Sequence, residues 1–130
     1  MWAECAILSA MRQIVFHVNR DKPGADAVRQ RLAALAASLG LTEVAAGETP
    51  EAVVVLGGDG TMLSAVHRFP GIPLLGLNLG SLGYLAGVEA PHFDNAMLAL
   101  ASGDYEVSRR TTLRVGDAVA LNEIVPVIDI

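Results

Sequence analysis

One short turn of this 130-residue sequence gathers the residue types that handle phosphate: Gly57-Gly58-Asp59-Gly60-Thr61. Three glycines within four positions omit the Cβ atoms that would hold a ligand off the backbone, so peptide N–H groups can come close to phosphate oxygens. Asp59 by itself would repel a phosphate, so its place among these glycines calls for a separate job. It could hold a metal ion or accept a proton from a substrate hydroxyl. Either job points to phosphoryl transfer. A plain strand-to-helix turn in which Asp59 merely caps the helix would use the same five residues without any ligand.

The flanking segments are what must position this turn. Ala52-Val53-Val54-Val55-Leu56 is an uninterrupted apolar, largely β-branched run, as expected of a parallel strand buried on both faces. Thr61-Met62-Leu63-Ser64-Ala65-Val66 opens a helix that runs to about Phe69 and is stopped by Pro70 and Gly71. A ligand at the turn would sit at the carboxyl end of a strand and the positive end of a helix, where open α/β sheets bind nucleotides. Leu63 and Ser64 are close enough in sequence to wall it, and Leu63 equally suits the core. A second apolar strand, Ile72-Pro73-Leu74-Leu75-Gly76-Leu77-Asn78, empties in the same way into Leu79-Gly80-Ser81-Leu82-Gly83-Tyr84-Leu85-Ala86-Gly87. Two such loops at neighbouring strand ends are expected to form the two lips of a crevice. Tyr84 could stack on a base there or pack as an ordinary core aromatic. Neither segment writes the dinucleotide fingerprint Gly-x-Gly-x-x-Gly, and with Lys22 as the sole lysine no lysine-dependent phosphate loop can be written. Phosphates are therefore expected to meet backbone amides, arginine or a bound cation.

The rest of the chain supplies the frame. A hydrophobic fraction of 52% and a mean hydropathy of +0.45 are ample for the core of one domain. No stretch of about 18 residues is free of charges or turn formers, so no transmembrane helix is read. A net charge of −5 argues against nucleic acid or an anionic membrane as partner. Cys5 is the only cysteine, which rules out an internal disulfide and a cysteine-based zinc site and fits a reducing, cytoplasmic setting. Residues 1–10 read as a loose leader ahead of Met11. Residues 14–18 form a first strand, in which His17 reads as a packed or edge residue. Residues 23–40 form the clearest helix, with Val28, Leu32, Leu35, Ala36 and Leu39 on one stripe and Arg29 and Arg31 off it as a solvated face. A short strand follows at 41–44. His67 and Arg68 suit the negative end of the helix after the glycine turn. Residues 91–102 form a second amphipathic helix, with Phe93, Met97 and Leu100 inward and Gly103 ending it. The texture then changes: Leu113-Arg114-Val115, a two-residue Gly116-Asp117 loop and Ala118-Val119-Ala120-Leu121 read as an antiparallel hairpin. The expected organisation is an α/β nucleotide-binding domain over 11–104, then the first strands of an incomplete β-rich domain over 105–130.

Three segments together resemble the NAD kinase family. Leu56-Gly57-Gly58-Asp59-Gly60-Thr61-Met62-Leu63 looks like its signature turn, residues 73–85 like its second glycine segment, and Ala120-Leu121-Asn122-Glu123-Ile124 like its Asn-Glu motif. The resemblance covers the N-terminal domain and the start of the C-terminal one. It implies a Rossmann-like parallel sheet flanked by helices, of the NAD kinase and diacylglycerol kinase type. The implied reaction carries a phosphoryl group from ATP or inorganic polyphosphate to the 2′-hydroxyl of the adenosine ribose of NAD, giving NADP. Asp59 is similar to the family's catalytic aspartate. Gly58, Gly60 and Leu63 would contact the substrate, while Tyr84, Asn122 and Glu123 resemble the residues that hold the adenosine half of NAD. The resemblance further implies a divalent cation, Mg2+, carried with the nucleotide, and assembly into homodimers or homotetramers. A hairpin without the rest of its domain is expected to self-associate. Two other readings stand beside this one. Diacylglycerol and sphingosine kinases share the Gly-Gly-Asp-Gly-Thr turn, but Met62-Leu63-Ser64 and residues 80–84 occupy the places of their later motifs. A non-catalytic nucleotide-binding module would keep the crevice without the chemistry.

Overall fold

The computed structural model describes residues 10–80, 87–114 and 117–127. Its elements are β1 (Gln13–Val18), α1 (Ala25–Ser38), β2 (Thr42–Glu43), β3 (Ala52–Gly57), α2 (Asp59–Arg68), β4 (Leu74–Asn78), a 3-10 turn (Ala90–His92), α3 (Phe93–Ser102), β5 (Tyr105–Arg114) and β6 (Asp117–Pro126). The strands form one sheet in the order β2-β1-β3-β4-β6-β5. All neighbours run parallel except β5, which is antiparallel to β6.

Helices cover both faces, and the strands are apolar accordingly. On one side α1 and α3 bring Leu32, Ala36, Phe93, Met97 and Leu100 against Ile14, Val54, Leu56, Leu75 and Leu77. On the other, α2 brings Met62, Ala65 and Val66 against Val53, Val55 and Leu74. Alternate residues of β3 thus feed opposite layers, and every one of its residues is buried. The same alternation turns Phe16 and Val18 of β1 toward α1, and His17 toward α2, where its ring meets Phe69 edge-on.

Arg29 and Arg31 do more than decorate a solvated face. Arg29 pairs with Glu43 and lies over the Phe16 ring, and Arg31 pairs with Asp94 of α3, so α1 is tied to β2 and to its neighbouring helix.

The hairpin differs from expectation in two respects. Arg114 pairs with Asp117, so Asp117 belongs to β6 and not to the loop, while residue 116 lies outside the described residues. It also joins the existing sheet: β6 lies parallel beside β4 through the pair Leu74 and Glu123, leaving β5 as the edge strand. Ile124 and Tyr105 enter the layer under α1 and α3, while Leu121 enters the layer under α2. Packing on both faces is what draws the hairpin in, since two strands alone are marginal in water. Residues 1–9 of the expected leader, with Cys5, lie outside the described residues. Among the described residues no helix is long and apolar enough to cross a membrane.

Candidate functional site

The glycine turn occupies the carboxyl end of β3, and its three glycines have different reasons for being there. A Cβ on Gly57 would lie 2.3 Å from Thr61 Oγ1 and 2.6 Å from Thr61 Cβ, so the first glycine lets α2 start tight against the strand. Gly58 and Gly60 carry no such restriction, since a Cβ at either would stand in open space. Gly58 is also in an extended conformation, φ −131°, that any residue adopts. Neither packing nor backbone demands glycine at 58 or 60; open space in front of backbone amides is what a ligand would fill.

Asp59 does not cap the helix. The N-cap position is Gly58, Met62 N–H donates to Gly58 O at 3.0 Å, and Asp59 is the first helical residue. There its carboxylate is half-buried, suits the positive end of α2, and faces a cleft of about 590 Å³. The cleft is lined by His17, Val18, Asn19 and Lys22 on one side and Gly58, Asp59, Gly60, Thr61 and Ser64 on the other.

The cleft therefore opens between β1 and β3, where the strand order β2-β1-β3 reverses, the position at which doubly wound sheets of this order hold ligands. The expected second lip, the segment after β4, is adjacent rather than opposite: Leu79 N–H donates to Gly57 O at 3.0 Å, and Asn78 Oδ1 accepts from Gly80 N–H at 2.7 Å. What faces Asp59 across the cleft is the β1–α1 loop. That loop is braced, with Asn19 N–H donating to Leu56 O at 2.9 Å and Asn19 Oδ1 accepting from Asp21 N–H at 3.1 Å.

Of the other residues singled out in the sequence, Leu63 packs at the edge of the layer under α2 and does not line the cleft. Tyr84 lies outside the described residues. Asn122 is not brought to Asp59. Its Nδ2 lies 3.4 Å from Gly71 O, just before β4, whereas the glycine turn is level with the far end of that strand through the pair Gly57 and Asn78. Four residues of strand separate those levels, about 13 Å. Glu123 is buried opposite Leu74, its Oε2 4.0 Å from where a Cβ on Gly87 would be.

His17, which packs against Phe69 as the sequence suggests, also lines the cleft, together with Asn19 and Lys22, to which the sequence assigns no site role. His17 Nε2 lies 3.1 Å from Ser64 Oγ, joining β1 to α2 at the cleft wall. Burial, and secondarily the charge of Arg68, holds the imidazole below its ordinary value, so it stays neutral near pH 7. For Lys22 a signal was present: it is the single lysine, and it follows a strand of an α/β chain within four residues.

As a metal site the arrangement is sparse. Among the described residues no group of three or more His, Cys, Asp or Glu side chains converges, and Asp59 is the one carboxylate lining the cleft. Such a donor set suits a cation whose other ligands arrive with a phosphate, not one held by a protein cage.

Residues 9–105 match the family described as the ATP-NAD kinase N-terminal domain. Curated relatives include the NAD kinase of Nocardia farcinica, 41% identical over 112 residues that make up 78% of this chain and 32% of that protein. The NAD kinase of Nitratidesulfovibrio vulgaris is 34% identical over 119 residues, 81% of this chain and 42% of that protein. Among solved structures, that of yeast NADH kinase complexed with NADH shares the fold with a TM-score of 0.59 at 15% identity, covering 88% of this chain and 47% of that one. The chain spans about a third of the length of the curated relatives it matches.

Proposed function

Since this chain belongs to the NAD kinase family, we propose that it serves phosphoryl transfer from ATP or inorganic polyphosphate to the 2′-hydroxyl of the adenosine ribose of NAD, giving NADP. The observation that carries the reading is Asp59 on a half-buried helix start between two glycines whose Cβ positions are open, facing a cleft at the switch point of the sheet. In this reading Asp59 accepts the proton of the attacking hydroxyl, and the Gly58 and Gly60 backbone lies against the substrate. Phosphoryl transfer asks the protein mainly for positioning and charge neutralisation, which one base and an open glycine turn can supply. Mg2+ bound with the donor would neutralise phosphate charge, with Asp59 as the nearest protein carboxylate. Asn122 and Glu123, the adenosine-binding pair by resemblance, sit on β6, with the Glu123 carboxylate near Gly87 beyond the end of β4. Self-association into a dimer or tetramer through the exposed β5 edge, and a cytoplasmic setting, complete the proposal.

The test is NADP formation from NAD with magnesium and either ATP or polyphosphate, compared between the chain and its Asp59→Asn variant, with NAD binding measured on both. The expected result is turnover that falls by about two to four orders of magnitude while NAD binding persists. Equal rates in the two proteins would refute the role of Asp59. A chain that neither forms NADP nor binds NAD would refute the reading.

A further inference from the structure

Lys22 is the cleft residue to which the phosphoryl-transfer reading assigns nothing. It lines the cleft together with Gly58, Asp59, Gly60 and Thr61. Its Nζ also reaches the segment after β4, since a Cβ on Gly80 would stand 3.2 Å from it. The side chain thus extends from the β1–α1 loop across the carboxyl end of β3, over the mouth of the glycine turn. Its backbone is fixed: Lys22 N–H donates to Asn19 O at 3.2 Å, and Asn19 is itself anchored on Leu56 O. Among the described residues the ion pairs Arg29–Glu43 and Arg31–Asp94 do not involve it.

A phosphate entering this cleft meets the Asp59 carboxylate, in a chain whose net charge is already −5. Open amides at Gly58 and Gly60 offer dipoles but no full positive charge. Among the described residues Lys22 is the one lysine or arginine lining the cleft. An ammonium on a long stem is a point charge able to follow phosphate oxygens, the way lysine usually serves phosphates. We infer that Lys22 binds a phosphate group in the cleft, its ammonium offsetting Asp59 and bridging the glycine turn to Gly80. The inference rests on the phosphoryl-transfer reading of the cleft. The shared chemistry is a phosphate oxyanion; it belongs either to the diphosphate bridge of the dinucleotide or to the phosphate chain of the donor.

Equilibrium binding of inorganic tripolyphosphate, ATP, NAD and adenosine to the chain, to Lys22→Met and to Lys22→Arg, at low and high salt, tests it. Lys22→Met is expected to weaken one or more of the phosphate-bearing ligands about ten- to a hundredfold, the loss of one charge-assisted hydrogen bond. Lys22→Arg should restore most of that, the salt dependence should flatten in Lys22→Met, and adenosine binding should not change. A loss confined to NAD assigns Lys22 to the dinucleotide, and a loss confined to ATP and tripolyphosphate assigns it to the donor. Phosphate ligands bound equally well by Lys22→Met, an equal loss of adenosine, or no phosphate ligand bound by the unaltered chain would each overturn the inference. The two ideas also separate. NADP formation with the KM values for both substrates untouched in Lys22→Met removes this inference and leaves the function. Lys22-dependent tripolyphosphate binding by a chain that makes no NADP does the reverse.

Discussion

Replacing Gly57 and Gly58 separately by alanine should split folding from ligand binding at adjacent positions. At Gly57 the new methyl would lie 2.3 Å from Thr61 Oγ1, 2.6 Å from Thr61 Cβ and 2.9 Å from Thr61 Cγ2. Rotating the threonine side chain moves Oγ1 and Cγ2 but not Cβ, so the first turn of α2 must shift away from β3. Overpacking of this kind costs about 1–3 kcal/mol. At this chain length that lowers the melting temperature by about 3–5 °C per kcal/mol. Adding Thr61→Ala should recover only part of the loss, because the Cβ contact remains. At Gly58, with φ −131° and nothing within 4 Å of a Cβ, alanine should cost no more than about 1 kcal/mol, the preference for glycine over alanine at a helix N-cap. Gly60 lies inside the first turn of α2, where alanine should gain up to about 1 kcal/mol from helix propensity. Gly58→Ala and Gly60→Ala should nonetheless weaken NAD or ATP binding, because each methyl projects into the space reserved for ligand. Urea unfolding followed by circular dichroism, with nucleotide binding measured on the same samples, reads both effects. A Gly57→Ala protein as stable as the parent, or a Gly58→Ala protein as damaged as Gly57→Ala, would refute the division of labour.

Two further outcomes follow from burial. Phe93→Ala empties a position only 2% exposed between α3 and the sheet, and should cost about 3–5 kcal/mol with near-complete loss of the folded state on mild warming; a shift under about 1 kcal/mol would place α3 outside the cooperative core. His17 is held below its ordinary value of 6.5 by burial first and Arg68 second. As pH falls the unfolded chain takes up this proton before the fold does, so the stability tied to neutral His17 is present above about pH 6.5 and is lost as pH drops through the lower folded value. The stability difference between the parent and His17→Gln should therefore shrink below that pH, and a difference constant across the range would rule the account out.

What the sequence makes legible is whatever is decided locally. The β3 run announces a doubly buried strand because five successive apolar residues have no other economical place. The 3.6-residue spacing of Leu32, Leu35, Ala36 and Leu39 likewise suffices for α1. Residue types alone suggest a phosphate-type site at the glycine turn, but they do not say that Gly57 answers to Thr61 while a Cβ at Gly58 or Gly60 would stand in open space. The cleft's partner wall was not readable, because it depends on strand order. Residues 79–87 read as the second lip because they form another glycine-rich exit, and 81–86 of them lie outside the described residues; placing β1 beside β3 brings Asn19 and Lys22 to the cleft. Strand order is fixed by layer packing far apart in sequence, and no local pattern around Lys22 encodes it. Gly116-Asp117 reads as a hairpin loop by composition, but register is set by ten cross-strand pairs, which put Asp117 in β6 opposite Arg114.

The narrowness of the seam between β4 and β6 has an energetic meaning. Inside the hairpin ten residue pairs are in register, whereas among the described residues β6 is in register with β4 at the pair Leu74 and Glu123, with Asn122 reaching Gly71 O and Tyr105, Leu121 and Ile124 packing beside it. β3, by contrast, is in full register with a neighbour on each side. Opening free energy is thus unevenly distributed: the hairpin forms a unit that detaches at lower cost than any strand between β1 and β4. Asn122 and Glu123 travel on that unit. The distance of Asn122 from Asp59 is accordingly governed by the softest joint in the sheet, while the Asp59 cleft itself rests on the hardest.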